Sequence, residues 1–245
     1  MDEIEKFKKE VDQNIQGLME DRDVQALSRI WMREITRHRY AYNFSWMGRP
    51  IIQFPQDMVA MQEIIWQTKP DLIIETGIAH GGSLIYYASL LEMMGLDGYV
   101  LGIDVDIRAH NRAEIEAHPM HKRIAMIQGS SIADETVAAV SEHAAGKKSV
   151  LVILDSNHTH DHVLKELQLY SQFVSPGNYL VVFDTLIEDM PDDLIQDRPW
   201  KKGNNPKTAV ATFLELNTDF KNDAAIEAKI LITVAPGGYL KRLAG

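Results

Sequence analysis

From Leu72 onward, short apolar runs of strand length alternate with segments of helical length. Near-continuous apolar runs are typical of strands buried on both faces, and this alternation is typical of a parallel sheet flanked by helices. Five runs have this character: 72–77, 99–106, 124–130, 149–156 and 178–185. The chain is therefore expected to fold as an α/β protein around a mostly parallel sheet.

Helical patterns follow the five runs, with lengths suited to right-handed crossovers. We expect them to begin near Gly82, Ala109, Asp134, Thr159 and Asn205. After the last helix, the segments 226–235 and 238–243 are separated by Pro236 and Gly237, which predicts two final strands joined by a tight turn. The sheet would then have seven strands, one of them antiparallel.

Residues 1–70 have a different pattern. Charged amphipathic helices extend to about Arg39, an aromatic loop occupies 40–55, and a further helix extends from about Gln56 to Thr68. We interpret 1–70 as an N-terminal helical cap and 71–245 as the sheet domain. The apolar faces of the first helices and the final strand pair favour a homo-oligomer.

Composition excludes several functional classes. The 245 residues contain no cysteine, so disulfides, thiolate zinc sites and cysteine nucleophiles are absent. A net charge of −10 without a long basic cluster argues against a nucleic-acid partner. The N-terminus lacks the apolar stretch of a secretory signal and no segment is apolar enough to span a bilayer, so we expect no membrane association and a cytoplasmic location.

In open α/β sheets, ligands bind beyond the carboxyl ends of the strands, so the residues that end each run are the candidates for function. The first run ends in a glycine-rich turn, Glu75 to Ser83, where a ligand could approach the backbone beside a helix N-terminus. The turn lacks the spacing of dinucleotide binders and the lysine of a P-loop, which disfavours NAD and ATP. An ordinary glycine turn is the alternative.

The second run ends in Asp104, close to the spacing at which an acidic residue accepts hydrogen bonds from a ribose diol. The alternative for this carboxylate is a solvated loop position, which suits Asp106 better. The third run ends in Gln128, Gly129 and Ser130, which are suited to an adenine edge but equally suited to capping the next helix.

The fourth run ends in Asp155 and is followed by His158, His160 and His162. A carboxylate and imidazoles this close favour general-base or metal chemistry. We consider zinc the weaker interpretation, because no third strong ligand follows at metal spacing and the two later histidines fall on the next helix.

The fifth run ends in Asp184, on the strand expected beside the fourth. Carboxylates at adjacent strand ends favour a hard cation such as Mg²⁺, with loop capping as the alternative for Asp184. The long connection 186–207, which contains Trp200, has the length of an active-site lid or a disordered loop.

Six segments, taken in order, resemble the cephalosporin hydroxylase family, which includes rhamnosyl O-methyltransferases. They are YNFSWMGRPIIQFPQD, DLIIETGIAHGGSL, LGIDVDIR, LDSNHTHDHVLKEL, GNNPKTAV and LITVAPGGYLKR. The resemblance covers nearly the whole chain, and it implies a class I methyltransferase (Rossmann-like) three-layer sandwich that binds S-adenosylmethionine. It implies that the turn from Glu75 to Ser83 and Asp104 bind the cofactor. With the ends of the third and fourth runs, the predicted cofactor-binding residues are Glu75, Gly77, Ala79, His80, Gly81, Ser83, Asp104, Gln128, Ser130 and Asp155.

Similarity to metal-dependent O-methyltransferases implies that Asp155 and Asp184 ligate Mg²⁺ and that His158 is the general base, so Asp155 and His158 are the catalytic candidates. One position departs from the family. Relatives commonly carry Glu-Asp where this chain has Phe183 and Asp184, so one expected ligand is missing. The ion would then bind weakly, recruit Glu188 or Asp189, or be absent.

The leading hypothesis is an O-methyltransferase whose small-molecule or saccharide acceptor presents a sugar hydroxyl. Tyr42, Trp46, His158 and Trp200 are its candidate substrate residues, although Phe44 and Trp46 would serve equally to pack the cap onto the sheet. One alternative is an enzyme that hydroxylates or methoxylates a β-lactam. Another is a non-catalytic cofactor-binding subunit with a degraded metal site, for which Phe183 is the indication.

Overall fold

The computed structural model of the protein describes residues 2–194 and 197–244. Its N-terminal part begins with two consecutive helices, α1 (Glu3–Glu20) and α2 (Arg22–Arg37). Between them the Asp21 carboxylate accepts hydrogen bonds from two backbone amides of the next turn, so this side chain caps α2. The predicted helical start of the cap is thus present.

A β-hairpin and a helix follow: β1 (Phe44–Trp46), β2 (Arg49–Ile51) and α3 (Pro55–Thr68). The aromatic segment 40–55, expected to be a loop, therefore contains two antiparallel strands. Met47 and Gly48 join them with φ angles of 45° and 87°. Two residues in the left-handed region match the twist of paired strands, which explains the short hairpin.

The main sheet has seven strands. They are β3 (Leu72–Thr76), β4 (Tyr99–Asp104), β5 (Ile124–Gln128), β6 (Val150–Leu154), β7 (Tyr179–Val182), β8 (Phe220–Asn222) and β9 (Tyr239–Arg242). Their order is β5-β4-β3-β6-β7-β9-β8, and only β9 is antiparallel to its neighbours. The predicted seven-stranded sheet with one antiparallel strand is confirmed.

Helices cover both faces of the sheet, which gives three layers. The crossovers are α4 (Gly82–Met93), α5 (Ala109–Ala117), α6 (Asp134–Ala144), α7 (His160–Tyr170) and α8 (Pro206–Leu216), each beginning within one residue of its predicted start. Alternate strand residues enter two separate cores: Ile73 packs with α3, α4 and α5, whereas Leu72 and Ile74 pack with α6, α7 and α8.

The prediction of a strand over 226–235 is wrong. Residues 224–230 form a further helix, α9 (Ala224–Ile230), and the penultimate strand is the earlier β8. Alanine, glutamate and lysine favour a helix there, and α9 packs against α1 and α3. The helix ends at its C-cap residue Leu231, which has a φ of 63°. The turn at Pro236 and Gly237 therefore does not join two strands, but precedes β9.

A buried carboxylate ties α3 to the end of the chain. Asp57 accepts hydrogen bonds from the Thr233 hydroxyl, from the backbone amide of Val234 at 2.9 Å and from the Tyr239 hydroxyl at 2.6 Å. Burial raises the pKa of Asp57 to about 6, although these donors oppose the shift. The second half of the cap is therefore joined to the sheet by a specific polar network.

Within residues 2–194 and 197–244, no helix has both the length and the apolar character required to cross a bilayer. The cytoplasmic location stays a prediction, as does the division into a cap over 1–70 and a sheet domain over 71–245.

Candidate active site

A cavity of about 940 Å³ opens beyond the carboxyl ends of the central strands. This volume suits a nucleoside cofactor together with part of a second molecule. Four residues at the strand ends line this cavity. Gly77 directly follows β3, Asp155 directly follows β6, Asp184 lies two residues after β7, and Asp104 is the last residue of β4. The predicted convergence of Gly77, Asp104 and Asp155 at one rim of one sheet is confirmed.

Most of the predicted site residues line this cavity. They are Tyr42, Gly77, Ala79, His80, Ser83, Asp104, Asp155, His158, Asp184 and Trp200. Glu75 lies buried beneath the glycine turn. Gly81 is the N-cap residue that precedes α4, and an added Cβ there would lie 2.3 Å from the Ile115 side chain. Gln128 and Ser130 lie at the end of β5 beside Asp104, outside the cavity lining.

Gly77 permits the close approach of β3 and β6 at the cavity floor. Its φ is +94°, and a Cβ there would lie 2.1 Å from the carbonyl oxygen of Asp155. Gly82 is equally confined, because a Cβ on it would lie 2.1 Å from the carbonyl oxygen of Pro50 in the hairpin. Only glycine fits either position, and the backbone of the turn is thereby left accessible to a ligand.

Asp104 is held in place by three backbone amides. One carboxylate oxygen accepts from Ile78 at 2.8 Å and from Ala79 at 3.3 Å, and the other accepts from Asp106 at 3.0 Å. The glycine turn therefore fixes the orientation of this carboxylate, and its remaining lone pairs can accept from the hydroxyls of a diol.

Glu75 is fully buried, and its environment disfavours the charged form. Burial raises the pKa of Glu75 to about 8; the Ser83 hydroxyl, which donates to it at 2.7 Å, opposes the shift, and the charge of Asp104 adds to it. The second carboxylate oxygen has no hydrogen-bond partner among the described residues. A positively charged donor at this position would compensate the buried carboxylate.

Asp155, His158 and Asp184 form the chemical centre of the cavity. One ligand atom from each lies within 4.8 Å of the others, and Nε2 of His158 is 3.2 Å from a carboxylate oxygen of Asp184. Burial raises the pKa of Asp155 well above its usual range, and the nearby charges of Asp184 and Glu75 raise it further. The two carboxylates in this arrangement fit a hard divalent cation completed by waters, and the imidazole of His158 lies beside them.

The two loop carboxylates considered as replacement ligands have other partners. Glu188 accepts from the backbone amide of Gly203 at 2.8 Å and from the Asn205 side chain, and Asp189 pairs with Lys207 at 2.6 Å. Phe183 is buried in the core. Recruitment of Glu188 or Asp189 is therefore not observed, and the third group beside the two aspartates is His158.

The other two histidines of the motif are engaged outside this centre. Nδ1 of His160 is 2.8 Å from the Thr208 hydroxyl, which joins α7 to α8. Nε2 of His162 is 3.1 Å from the Ser131 hydroxyl and 3.6 Å from the buried Glu166. Of the three histidines that follow β6, His158 therefore lies in the cavity, whereas His160 and His162 hold α7 in place.

The aromatic candidates divide in the same way. Trp200 lies edge-on to the His158 ring, with centroids 4.6 Å apart, and Tyr42 lies at the cavity under the Arg39 guanidinium. Trp46 is outside the lining, because its indole donates to Ser89 at 2.9 Å and packs on α4. The packing alternative thus describes Trp46, which does not line the cavity.

Sequence reasoning missed the contribution to the cavity of the segment that joins the hairpin to α3. Gln53 and Phe54 line it, as do Leu186, Ile187 and Met190 after β7. A polar residue within the apolar stretch IIQF was the only sequence signal for Gln53.

Comparisons with known proteins agree with this architecture. A family model described as rhamnosyl O-methyltransferase/CmcI matches residues 38–243. The rhamnosyl O-methyltransferase of Mycobacterium bovis (strain BCG / Pasteur 1173P2) is 32% identical over 217 residues, which cover 84% of this chain and 83% of that protein. That of Mycobacterium leprae (strain TN) is 29% identical over 215 residues, covering 84% and 88%.

Solved structures show the same fold. An apo structure of CmcI has a TM-score of 0.59 at 21% identity, over 83% of this chain and 78% of that one. A CmcI structure with Mg and SAM has a TM-score of 0.58 at 21% identity and the same coverage. The O-methyltransferase from Bacillus cereus in complex with SAH has a TM-score of 0.52 at 14% identity, over 86% and 87%. At these identities the likeness establishes the fold.

Proposed function

Because the chain belongs to the rhamnosyl O-methyltransferase/CmcI family, we propose that it transfers the methyl group of S-adenosylmethionine to a hydroxyl of a sugar or of a glycosylated natural product. The observation that carries this proposal is the cluster of Asp155, His158 and Asp184 in the same cavity as Gly77 and Asp104. A cation site and a proton acceptor thereby share one cavity with a nucleoside-binding rim.

The residues at the rim fit the cofactor. Glu75 offers an unpartnered buried oxygen, Gly77 leaves its backbone bare, and Asp104 presents a carboxylate fixed by three amides. Glu75 and Gly77 would hold the amino-acid part of the cofactor, and Asp104 would hold its ribose. Other open α/β sheets likewise bind ligands beyond their strand ends. When bound, S-adenosylmethionine supplies an electrophilic methyl group on its sulfonium sulfur.

The same cavity fits a divalent cation. Asp155 and Asp184 are the residues that would hold Mg²⁺, because their oxygens match its preference and their proximity leaves a negative site without a described cationic partner. When bound, the ion would lower the pKa of an acceptor hydroxyl.

His158 takes the proton from that hydroxyl. Its Nε2 faces a carboxylate oxygen of Asp184 at 3.2 Å, so Nε2 carries the hydrogen of the neutral ring and Nδ1 accepts the proton. The carboxylate orients the ring and stabilises the imidazolium that forms. The edge of Trp200 fixes the other side of the ring. Both contacts keep the imidazole in one position, which favours reaction by proximity.

The acceptor occupies the part of the cavity lined by Tyr42, Trp200 and the apolar residues Leu186, Ile187 and Met190. Aromatic faces suit sugar rings, and the apolar wall suits a hydrophobic group attached to the sugar. The relatives named rhamnosyl O-methyltransferase support a deoxysugar as the ring that is methylated.

The test is methyl transfer from labelled S-adenosylmethionine to a panel of aryl glycosides, including rhamnosides, with a cephalosporin as a comparison. We expect glycosides to be methylated and a chelator of divalent ions to lower the rate at least tenfold, since cation assistance contributes several kcal/mol. Transfer to the β-lactam alone would contradict the acceptor class. Cofactor binding without transfer to any acceptor would instead support a non-catalytic subunit.

We also propose that the chain self-associates through α2. Leu27, Ile30 and Trp31 form an exposed apolar stripe at the middle of this helix. An antiparallel pair of α2 helices from two copies would match stripe with stripe. It would bring the segment 21–23, with two aspartates and one arginine, toward the segment 33–37 of the other copy, with two arginines and one glutamate.

Replacement of Trp31 by glutamate is expected to weaken this association at least thirtyfold, the scale of a buried tryptophan at an interface. Sedimentation at several concentrations measures the change. Leu216→Glu, at another exposed apolar position at the end of α8, is the matched control and should leave the mass unchanged. A wild-type chain that stays monomeric at high concentration would refute the surface.

A further inference from the structure

Two arginines that the proposed reaction does not use line the cavity. Arg39 lies between α2 and β1, Arg198 lies in the connection 186–207, and both are exposed at the cavity mouth. Each guanidinium lies over an aromatic ring of the same cavity. The central carbon of the Arg39 guanidinium is 4.2 Å from the ring centroid of Tyr42, and that of Arg198 is 5.3 Å from a ring centroid of Trp200.

Within the described part of the chain, neither guanidinium forms an ion pair or donates a hydrogen bond. Arg37, by contrast, pairs with Asp193 at 3.3 Å. Asp197 also lines the cavity, and it pairs with neither of the two arginines. A guanidinium presents its N–H donors in a planar fork, and stacking on an aromatic face leaves the edge of this fork available to a ligand.

The backbone at Arg39 supports a role for its side chain. Arg39 has a φ of 51° and a ψ of 44°, the left-handed conformation that is unfavourable for residues other than glycine. The backbone amide of Tyr42 donates to the Arg39 carbonyl at 2.9 Å, which keeps the turn closed beneath the stacked guanidinium. Residues in unfavourable conformations are concentrated at ligand sites, so an arginine at this position indicates that its guanidinium is used.

The floor of the cavity has the opposite charge. Asp104, Asp155 and Asp184 line it at the strand ends, where we propose that the positively charged cofactor and Mg²⁺ bind. An anionic group of the acceptor would be repelled by these carboxylates and attracted by the arginines at the mouth. The charge distribution therefore favours an acceptor whose anionic group lies away from the reacting hydroxyl.

We propose that the acceptor carries an anionic group, a carboxylate or a phosphate, beyond its methylated ring and that Arg39 and Arg198 bind this group. The inference rests on the proposed function and narrows its acceptor to anionic glycosides. The planar fork of an arginine matches the paired oxygens of a carboxylate or a phosphate. One arginine belongs to the N-terminal cap and the other to the connection after β7, so an anion bound by both would link these two segments.

The carboxylate of the cofactor's amino-acid part is the competing ligand for these arginines. It has the same chemistry, so the two interpretations differ only in which molecule carries the anion. Arginines that bind the cofactor determine the affinity for S-adenosylhomocysteine. Arginines that bind the acceptor determine the selectivity between charged and neutral acceptors instead.

The experiment compares methyl transfer to three versions of the aryl glycoside that the wild type methylates fastest. The versions carry a carboxylate, a carboxamide or a phosphate at the far end of the aryl ring, and the carboxamide keeps the shape of the carboxylate without its charge. We expect the wild type to favour the carboxylate over the carboxamide about tenfold in kcat/KM, the scale of a hydrogen bond to a charged group. Because both guanidiniums are exposed, salt should weaken this preference.

Arg39→Gln combined with Arg198→Gln should abolish the preference, and each single substitution should reduce it. The ratio of the two kcat/KM values is the readout, so a general loss of activity does not imitate the effect. Arg112→Gln is the matched control, because this guanidinium pairs with Glu116 at 3.4 Å and does not line the cavity. The control should keep the preference of the wild type.

Equal kcat/KM values for the carboxylate and the carboxamide in the wild type, or an unchanged preference in the double variant, would overturn the inference while methyl transfer to glycosides stands. A double variant with a lower affinity for S-adenosylhomocysteine would overturn it in favour of the cofactor. A preference for the phosphate over the carboxylate would support a phosphorylated acceptor, and the reverse would support an acid-bearing aglycone. If no aryl glycoside is methylated, the proposed function is refuted and this inference with it.

Discussion

Replacing His158 with alanine is expected to lower kcat by about two to four orders of magnitude while the affinity for S-adenosylhomocysteine stays within about twofold. The expected loss is the usual contribution of a general base. His158 contacts Asp184 and Trp200. Gly77 and Asp104, which we propose to bind the nucleoside, lie at the ends of β3 and β4, so removal of the imidazole should spare the cofactor. Turnover at saturating acceptor and calorimetric titration measure the two effects.

His160→Ala is the matched control. This imidazole lies two residues further along the chain but is engaged with Thr208, so its loss should reduce the stability of the α7–α8 contact and leave kcat within a few-fold. If the His158 variant retains full activity, or if both variants lose activity equally, the assignment of the base is wrong.

Glu75→Gln should raise the free energy of unfolding of the ligand-free protein at pH 8 and leave it nearly unchanged at pH 4.5. The pKa of Glu75 is raised from 4.5 to about 8 in the folded chain. Between these values the folded state binds the proton more tightly than the unfolded state, so stability falls as pH rises from 4.5 to 8. At roughly 1.36 kcal/mol per pKa unit, the gain on removing the charge is at most about 5 kcal/mol.

The same substitution should weaken S-adenosylhomocysteine, because the neutral amide no longer attracts a positively charged group. Urea unfolding across this pH range and calorimetry provide the two readouts, with exposed Glu142→Gln on α6 as the control. A variant whose stability relative to the wild type is the same at both pH values would contradict the account of Glu75.

The sequence was sufficient to predict the features that depend on local pattern. Continuous apolar runs marked five parallel strands, and the residue that ends each run placed Asp104, Asp155 and Asp184 at one rim. The apolar runs locate the strands along the chain. Because every parallel strand ends at the same edge of the sheet, the residue that ends each run is then located as well.

Features that depend on tertiary contacts were not predictable. The segment 226–235 is apolar enough for a strand, but its first part forms α9, which packs on α1 and α3. Trp46 and Trp200 are both aromatic residues of segments that the sequence predicts to be loops, yet only Trp200 reaches His158. The place of Gln53 at the cavity depends on how the segment after the hairpin packs against α4, and no spacing of residues encodes that.

The central claim is that one cavity holds the nucleoside cofactor beside the proton-accepting cluster. A crystal structure of the S-adenosylhomocysteine complex tests it most directly. We expect the ribose hydroxyls to be hydrogen-bonded to Asp104, with the sulfur directed toward Asp155, His158 and Asp184. A nucleoside bound elsewhere, or a cavity that stays empty of it at saturating concentration, would contradict the claim.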